Sequence, residues 1–354
     1  MMSASRGGQA GKTHPAPRTA GERCLPAVLA LLCVLVAALS SVALCLGAYQ
    51  VPLSDVLGIL ASTVAPVEQT WQNMAASVVL GVRLPRVFGA LLVGAALAVA
   101  GTAYQGIFRN PLVSPDLLGV SNGACIGAAV AILAGTGVFT RQLWAFVGGI
   151  AAVACTMLIP RLLKRDSTIT LVLAGVIVGG FCSSVMGIIK YVADPETELP
   201  EIVYWQMGSL AKVGEGTLVY TAPVILACIV ALLAMRWRVN VLSLGDHEAK
   251  ALGVNLRKER GIVICLATLL TASATCMAGT VGWVGLVVPH LARFIVGPNT
   301  ARSLPVACLL AAAFLLVVDT VARISGIEIP LGIITGLVGT PFFIVLLARQ
   351  KGVL

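Results

Sequence analysis

Few residues of this chain could do chemistry. The nearest thing to a phosphate-binding loop is Gly7-Gly8-Gln9-Ala10-Gly11-Lys12-Thr13. That motif needs four residues between its glycines, and Gly7 to Gly11 leaves three. Arg6 stands where the first glycine belongs, and no hydrophobic strand precedes it, so ATP binding is not expected on this chain. His247-Glu248 lacks the second histidine of a zinc motif. Of the ten cysteines, Cys33, Cys45, Cys125, Cys155, Cys182, Cys228, Cys265, Cys276 and Cys308 lie in apolar segments, and none forms a C-x-x-C pair. They read as small hydrophobes, with no disulfide framework and no metal site. No Ser/His/Asp set and no paired catalytic carboxylates stand out, so no enzyme is expected.

Ionisable residues inside apolar runs normally mark ion or proton pathways. Asp319 lies four residues before Arg323 near the end of one run, and an i,i+4 pair that orients Arg323 is the simpler reading. His290, beside Pro289, is either a hydrogen-bonded structural histidine or a residue lining a pathway.

These residues must be positioned by membrane helices. The chain has 354 residues, of which 58% are hydrophobic and 11% charged, and its mean hydropathy is +0.98. No soluble domain has that balance; an all-α integral membrane protein does. The net charge of +9 comes from basic clusters between apolar runs, which reads as membrane topology and not as a nucleic-acid surface.

Residues 1–22 are polar and read as a disordered tail, followed by a transmembrane domain over 23–354. The first apolar run, about 24–47, is too long for a signal-peptide core and reads as a retained helix. Further spans are expected at about 87–106, 113–135, 143–163, 169–190, 217–237, 260–280, 283–298, 304–323 and 330–348, making ten transmembrane helices. Short surface helices are expected from Asp55 and within 201–212. Ten spans put both termini on one side. With the termini in the cytosol, the inside segments hold three-quarters of the 24 lysines and arginines, as the positive-inside rule requires. Most carboxylates of the outer side sit in one stretch: Asp194, Glu196, Glu198, Glu201 and Glu215.

The stretch from Arg83 to Gly123 organises the rest. Two arginines flank Leu84-Pro85. The apolar run that follows is rich in small residues, among them Gly89, Gly94, Ala98 and Gly101, so this helix packs inside protein. It ends at Arg109-Asn110-Pro111. A shift of 178 residues sets Ala100-Gly101-Thr102 on Ala278-Gly279-Thr280 and Pro111 on Pro289. Copies five spans apart cross the membrane in opposite directions. An inverted internal repeat, with halves at about 83–190 and 260–350, is a transporter signature.

The longest charged cytosolic connection contains Ser243, Leu244, Gly245, Asp246, His247, Glu248, Ala249, Lys250, Ala251, Leu252 and Gly253. It reads as one short helix, started by Ser243 or Asp246 and stopped by Gly253. It is either a docking element for a partner or a solvated connector.

Five motifs together carry a resemblance: RLPR at 83–86, NPL with LGVSNG at 110–123, LGDHEAKALGV at 244–254, VGLVVPHLAR at 284–293 and EIPLGIITGLVGTPFFIVLL at 328–347. Over about residues 25–350 the chain resembles the FecCD family, the permease subunits of type II ABC importers for ferric siderophores, haem and cobalamin. The resemblance implies the type II ABC importer permease fold, a second copy of the chain with the pathway at the interface, two cytosolic ATPase subunits and a substrate-binding protein. It also implies a cytoplasmic (inner) membrane location. No cofactor is expected on this chain; ATP and magnesium would bind the partner ATPases.

The resemblance further implies site residues. Arg83, Arg86 and Arg323 match the arginines that dock the binding protein. Bare arginines at a membrane edge read alternatively as snorkelling anchors. Asn110, Leu112, Ser167 and Thr168 match the cytoplasmic gate, although Ile169 stands where cobalamin-transporting members carry another serine. Residues 243–253 match the helix that couples to the ATPase. The expected function is ATP-driven import of a metal chelate, a ferric siderophore or haem foremost and cobalamin as a further candidate. An ion-coupled secondary transporter would also explain the repeat, but should carry buried carboxylates or broken-helix ion sites. A membrane-embedded enzyme and a non-transporting docking subunit are weaker rivals.

Overall fold

The computed structural model describes residues 20–164, 168–324 and 327–350. Of the tail expected over 1–22, residues 1–19 lie outside the described residues, and 20–22 already belong to the first helix. The first half of the chain forms α1 (Ala20–Cys45), α2 (Leu53–Ser62), α3 (Asn73–Val78), α4 (Leu84–Phe108), α5 (Val120–Leu133), α6 (Val138–Leu162), α7 (Thr168–Val192) and α8 (Glu198–Met207). The second half forms α9 (Glu215–Ala234), α10 (Arg236–Leu244), α11 (Asp246–Ala251), α12 (Leu256–Ala278), α13 (Val284–Val296), α14 (Thr300–Ile324) and α15 (Leu331–Gln350).

Each of the ten expected spans coincides with a helix. Seven are long and apolar enough to cross a membrane, namely α1, the continuous α3–α4, α6, α7, α9, α12 and α14. The other three, α5, α13 and α15, are shorter apolar helices in the described residues. The third span was expected from residue 113, yet its helix starts only at Val120. Pro111 and Pro115 withhold amide donors, a 3-10 turn occupies Pro115–Leu118, and Gly119 takes φ +81°. The two expected surface helices appear as α2 and α8.

Between α3 and α4 the chain makes a π turn over Val79–Arg83. Pro85 follows and cannot donate the amide that an α register would require there. Widening the turn absorbs the defect and rotates the arginine-bearing turn toward the helices packed beside it.

α4 is the centre of the bundle, 83% buried over its most apolar window. It packs against α9, α12, α13 and α14, as its small residues led one to expect. A Cβ added at Gly101 would lie 1.9 Å from the carbonyl oxygen of Gly285, and one at Gly94 2.3 Å from that of Ala311. Backbones meet backbones at these crossings, so no side chain fits.

The two halves repeat each other in lengths and packing. The helices α4, α5, α6 and α7 have 25, 14, 25 and 25 residues, and α12, α13, α14 and α15 have 23, 13, 25 and 20. Contacts α4–α14, α5–α6 and α5–α7 recur as α12–α6, α13–α14 and α13–α15. The first and sixth spans depart from the pattern: α1 packs mainly on α14, whereas α9 packs on α12 and α4.

The sequence register of the repeat is corrected, however. Ala100-Gly101-Thr102 lies inside α4, while α12 stops at Ala278 and Gly279 turns at φ +69°. Pro111 sits in a loop and Pro289 inside α13. Helix corresponds to helix at an offset shorter than 178 residues, and the offset falls further after the first pair because the loops that follow α4 and α12 differ in length.

Candidate functional site

Three groups of polar residues stand out, one at each end of the bundle and one at the loop that closes α4. The expected docking arginines do converge at one end, but on internal partners. Arg83 follows from the π turn. It donates from Nη1 to the carbonyls of Leu44 at 2.7 Å and Cys45 at 3.0 Å, and from Nη2 to that of Tyr49. It thereby satisfies the orphan carbonyls at the end of α1, where a cation also suits the helix dipole.

One turn on, Arg86 grips Asp319 with Nε at 2.8 and 3.1 Å from the two carboxylate oxygens. Its Nη1 lies 2.6 Å from Glu328 Oε1. Arg323 reaches the same Asp319 at 3.3 Å as an i,i+4 pair and donates to Ala43 O at 3.0 Å. The side chain of Asp319 is fully buried, that of Arg86 is 7% exposed, and that of Glu328 is 34% exposed. The expected Asp319–Arg323 pair is present. The Arg86–Asp319 bond, joining residues 233 apart, was not foreseen, because nothing local in the sequence signals it.

At the far end of α4, Arg109 adopts the left-handed region at φ +51° and stops the helix. Asn110 Oδ1 accepts the amide of Leu112 at 2.9 Å, an Asx turn. Both Asn110 and Leu112 are exposed. Ser167 lies outside the described residues, as does the side chain of Thr168, the first residue of α7. Phe108 and Leu171 line one cleft, so the end of α4 and the start of α7 border the same space.

Beneath the loop lies a buried polar node. Gln105 donates to Val113 O at 3.1 Å and Leu286 O at 3.3 Å and accepts from Arg293 Nη2 at 2.6 Å. The same Arg293 nitrogen is 3.0 Å from His290 Nδ1. A guanidinium only donates, so Nδ1 of His290 accepts and carries no proton. His290, 7% exposed, is thus a structural histidine, the first of its two readings. Gln105 was missed, since a glutamine near a helix end carries no signal of its own.

At the same end, the expected helix over 243–253 is two helices. Gly245, at φ +142°, separates α10 from α11. Ser243 and Leu244 close α10. Ser243 Oγ donates to Asn240 O at 2.6 Å and caps nothing downstream. The N-cap of α11 is Gly245, and no side chain caps it. Asp246 is occupied instead by Arg260, whose Nη2 and Nη1 lie 2.5 and 3.2 Å from its oxygens. Arg109 stands 3.9 Å away. The hydrogen bond from Arg260, helped by the charges of Arg260 and Arg109, holds the Asp246 carboxyl below the usual range. The stop at Gly253 is as expected, with φ +76° and its amide on Lys250 O at 2.9 Å. Ala249 is buried, whereas Leu244, His247, Glu248, Ala251 and Leu252 face outward.

The pieces compose a membrane device: a backbone-packed central helix, an ionic cluster at one end, and a polar loop with an exposed pair of short helices at the other. A sequence profile described as the FecCD transport family matches residues 32–349. The chain is 38% identical to the molybdate import system permease protein of Haemophilus influenzae, over 92% of this chain and 96% of that one. It is 38% identical to the hemin transport system permease protein of Yersinia pestis, over 77% and 83%. It is 38% identical to the cobalamin import system permease protein of Halobacterium salinarum, over 78% and 75%. A solved inward-facing structure of a metal-chelate type ABC transporter superposes with a TM-score of 0.82 at 37% identity, covering 92% of this chain and 99% of that one.

Proposed function

The chain belongs to the FecCD transport family and is the multi-pass permease subunit of an ABC importer, and we propose that its cargo is a metal chelate, an iron chelate or haem. The near whole-length match of fold and sequence to a metal-chelate type transporter carries this reading. A second reading, molybdate, is favoured by the permease of that name, which matches over most of both chains. Cobalamin is a third cargo of the same class.

The rest of the machine follows from the same premise. The end of the bundle with the basic clusters faces the cytosol, with both termini, in the inner membrane. The exposed face of α10–α11, where Leu244 is 56% and Leu252 55% exposed, is an apolar docking surface for one ATPase subunit of a pair. ATP and magnesium bind there and not on this chain, which performs no catalysis. A second copy packs on the α5–α7 side. Asn122, Ser183 and Ser184 are exposed on that side, which suits a shared aqueous pathway better than lipid tails.

Arg83, Arg86 and Arg323 mark the outer end where the binding protein docks. Since Asp319 and Glu328 already neutralise most of this cluster, incoming carboxylates must compete with Glu328, its most exposed member. Asn110, Leu112, Ser167 and Thr168 form the inner gate, and motion of α11 reaches it through Asp246 and Arg109.

The test is uptake by proteoliposomes holding this chain, its ATPase and its binding protein, with a panel of ferric siderophores, haem, cobalamin and molybdate. Accumulation of one cargo that requires ATP is the expected result. Accumulation that follows an ion gradient and ignores ATP would overturn the importer mechanism and restore the secondary transporter.

A further inference from the structure

A cleft of about 580 Å³ lies beside the gate and the coupling helices. Neither the gate nor the coupling role accounts for it. One wall is apolar: Ile107, Phe108, Met157, Leu171 and Ile264, all from the ends of membrane helices. The other is cationic. Arg161 ends α6, Lys250 comes from α11, and Arg257 and Arg260 from the first turns of α12. Asp246 is the single acid among the described lining residues, and Arg260 and Arg109 already share it. The Nε of Arg260 is buried with no hydrogen-bond partner, an unmet donor at the cleft, and such donors are costly unless something accepts from them. Arg161 and Lys250 are exposed. The cleft spans the level at which helices leave the apolar core, where an anionic headgroup and the first part of its acyl chains would lie.

We propose that this cleft binds the headgroup phosphate of an anionic phospholipid from the cytosolic leaflet. The phosphate sits among Arg161, Lys250 and Arg260, and the glycerol and upper acyl chains lie along Phe108, Met157 and Leu171. A free phosphate would satisfy the cations and leave the apolar wall bare; the wall selects the lipid. This rests on the orientation given above, but not on the cargo. The lipid would tie α11 to α6, so the element that meets the ATPase is held partly by the membrane itself.

Binding is read by native mass spectrometry of the full-length chain after reconstitution with phosphatidylglycerol and phosphatidylcholine, without cargo or ATPase. Wild type should retain phosphatidylglycerol selectively. Arg161→Gln/Lys250→Gln should retain it roughly tenfold less. Arg236→Gln/Lys258→Gln, which removes the same charge at exposed positions that do not line the cleft, should retain it as wild type does.

Gly261→Leu keeps every charge. A Cβ at Gly261 meets nothing within 4 Å, so the substitution fills the cleft without a clash in the backbone, and it too should lower retention. Equal loss in both charge variants would mean a diffuse surface effect and overturn the proposal. So would unchanged retention in Gly261→Leu, or displacement of the lipid by inorganic phosphate. Helical circular dichroism confirms that each variant is folded, and Gly261→Leu still decides the matter if the double variant is not.

Discussion

Asp319 holds two arginines at once. Its carboxylate is buried between Arg86 and Arg323, so removing it leaves two cations short of a partner. Truncating one member of a buried ionic group costs about 3–5 kcal/mol. Asp319→Ala should therefore lose most of its folded yield in detergent, seen as a collapse of the size-exclusion peak and a fall in the thermal unfolding midpoint. Glu328→Gln, at the rim, should cost under about 1 kcal/mol. If the two variants are equally stable, Asp319 is not the anchor of the cluster.

Asp246 titrates in the open. Its folded value lies below the ordinary 3.8 because Arg260 donates to it, so the carboxylate binds protons more readily in the unfolded chain. Its contribution is complete above 3.8, declines as pH falls through the depressed folded value, and is absent below that. The side chain is 43% exposed, so screening keeps the effect under about 1 kcal/mol. Thermal midpoints measured from neutral to acid pH should fall more steeply in wild type than in Asp246→Asn. Parallel curves would show that the pair contributes nothing to folding.

At the scale of elements, α4 is defined by what it lacks. Side chains are missing at Gly94 and Gly101 because the carbonyls of Ala311 and Gly285 occupy their place. Gly101→Leu must push α13 away, and overpacking of this kind costs about 1–3 kcal/mol or more. Gly187→Leu on α7, where an added Cβ meets nothing within 4 Å, should be tolerated by the isolated subunit. Thermal unfolding of the two variants side by side separates them. If Gly101→Leu unfolds with wild type, the α4–α13 crossing is looser than its geometry. The same sequence logic explains α10 and α11. Residues 243–253 have the composition of one helix, but Gly245 at φ +142° and the demand of Arg260 on Asp246 divide it.

For the whole molecule, matching lengths and contacts in the two halves give a bundle built around α4 and α12, its paired central helices. The α7 face, with Ser183 and Ser184 exposed among apolar residues, is where the second copy should sit. Ser184→Cys with a thiol cross-linker should yield a dimer band in membranes, whereas Val219→Cys on the exposed side of α9 should not. The reverse pattern would move the interface.

The sequence by itself determined the helical membrane class, the positions of the spans, the burial of α4 and the family, because these follow from local quantities: run length, small-residue content, basic clusters between runs and contiguous motifs. It also placed the stop at Gly253 and the Asp319–Arg323 pair, both of which act within one turn. It could not fix the register of the repeat, since loops of unequal length shift equivalent helices past one another. It could not show that Arg83 and Arg86 face inward, that Gln105 joins Arg293, or that Gly245 splits the coupling segment. Those depend on which carbonyls and carboxylates distant helices bring within 3 Å or so of each donor. Only packing sets such distances, and in an apolar core a donor must take whatever acceptor packing offers.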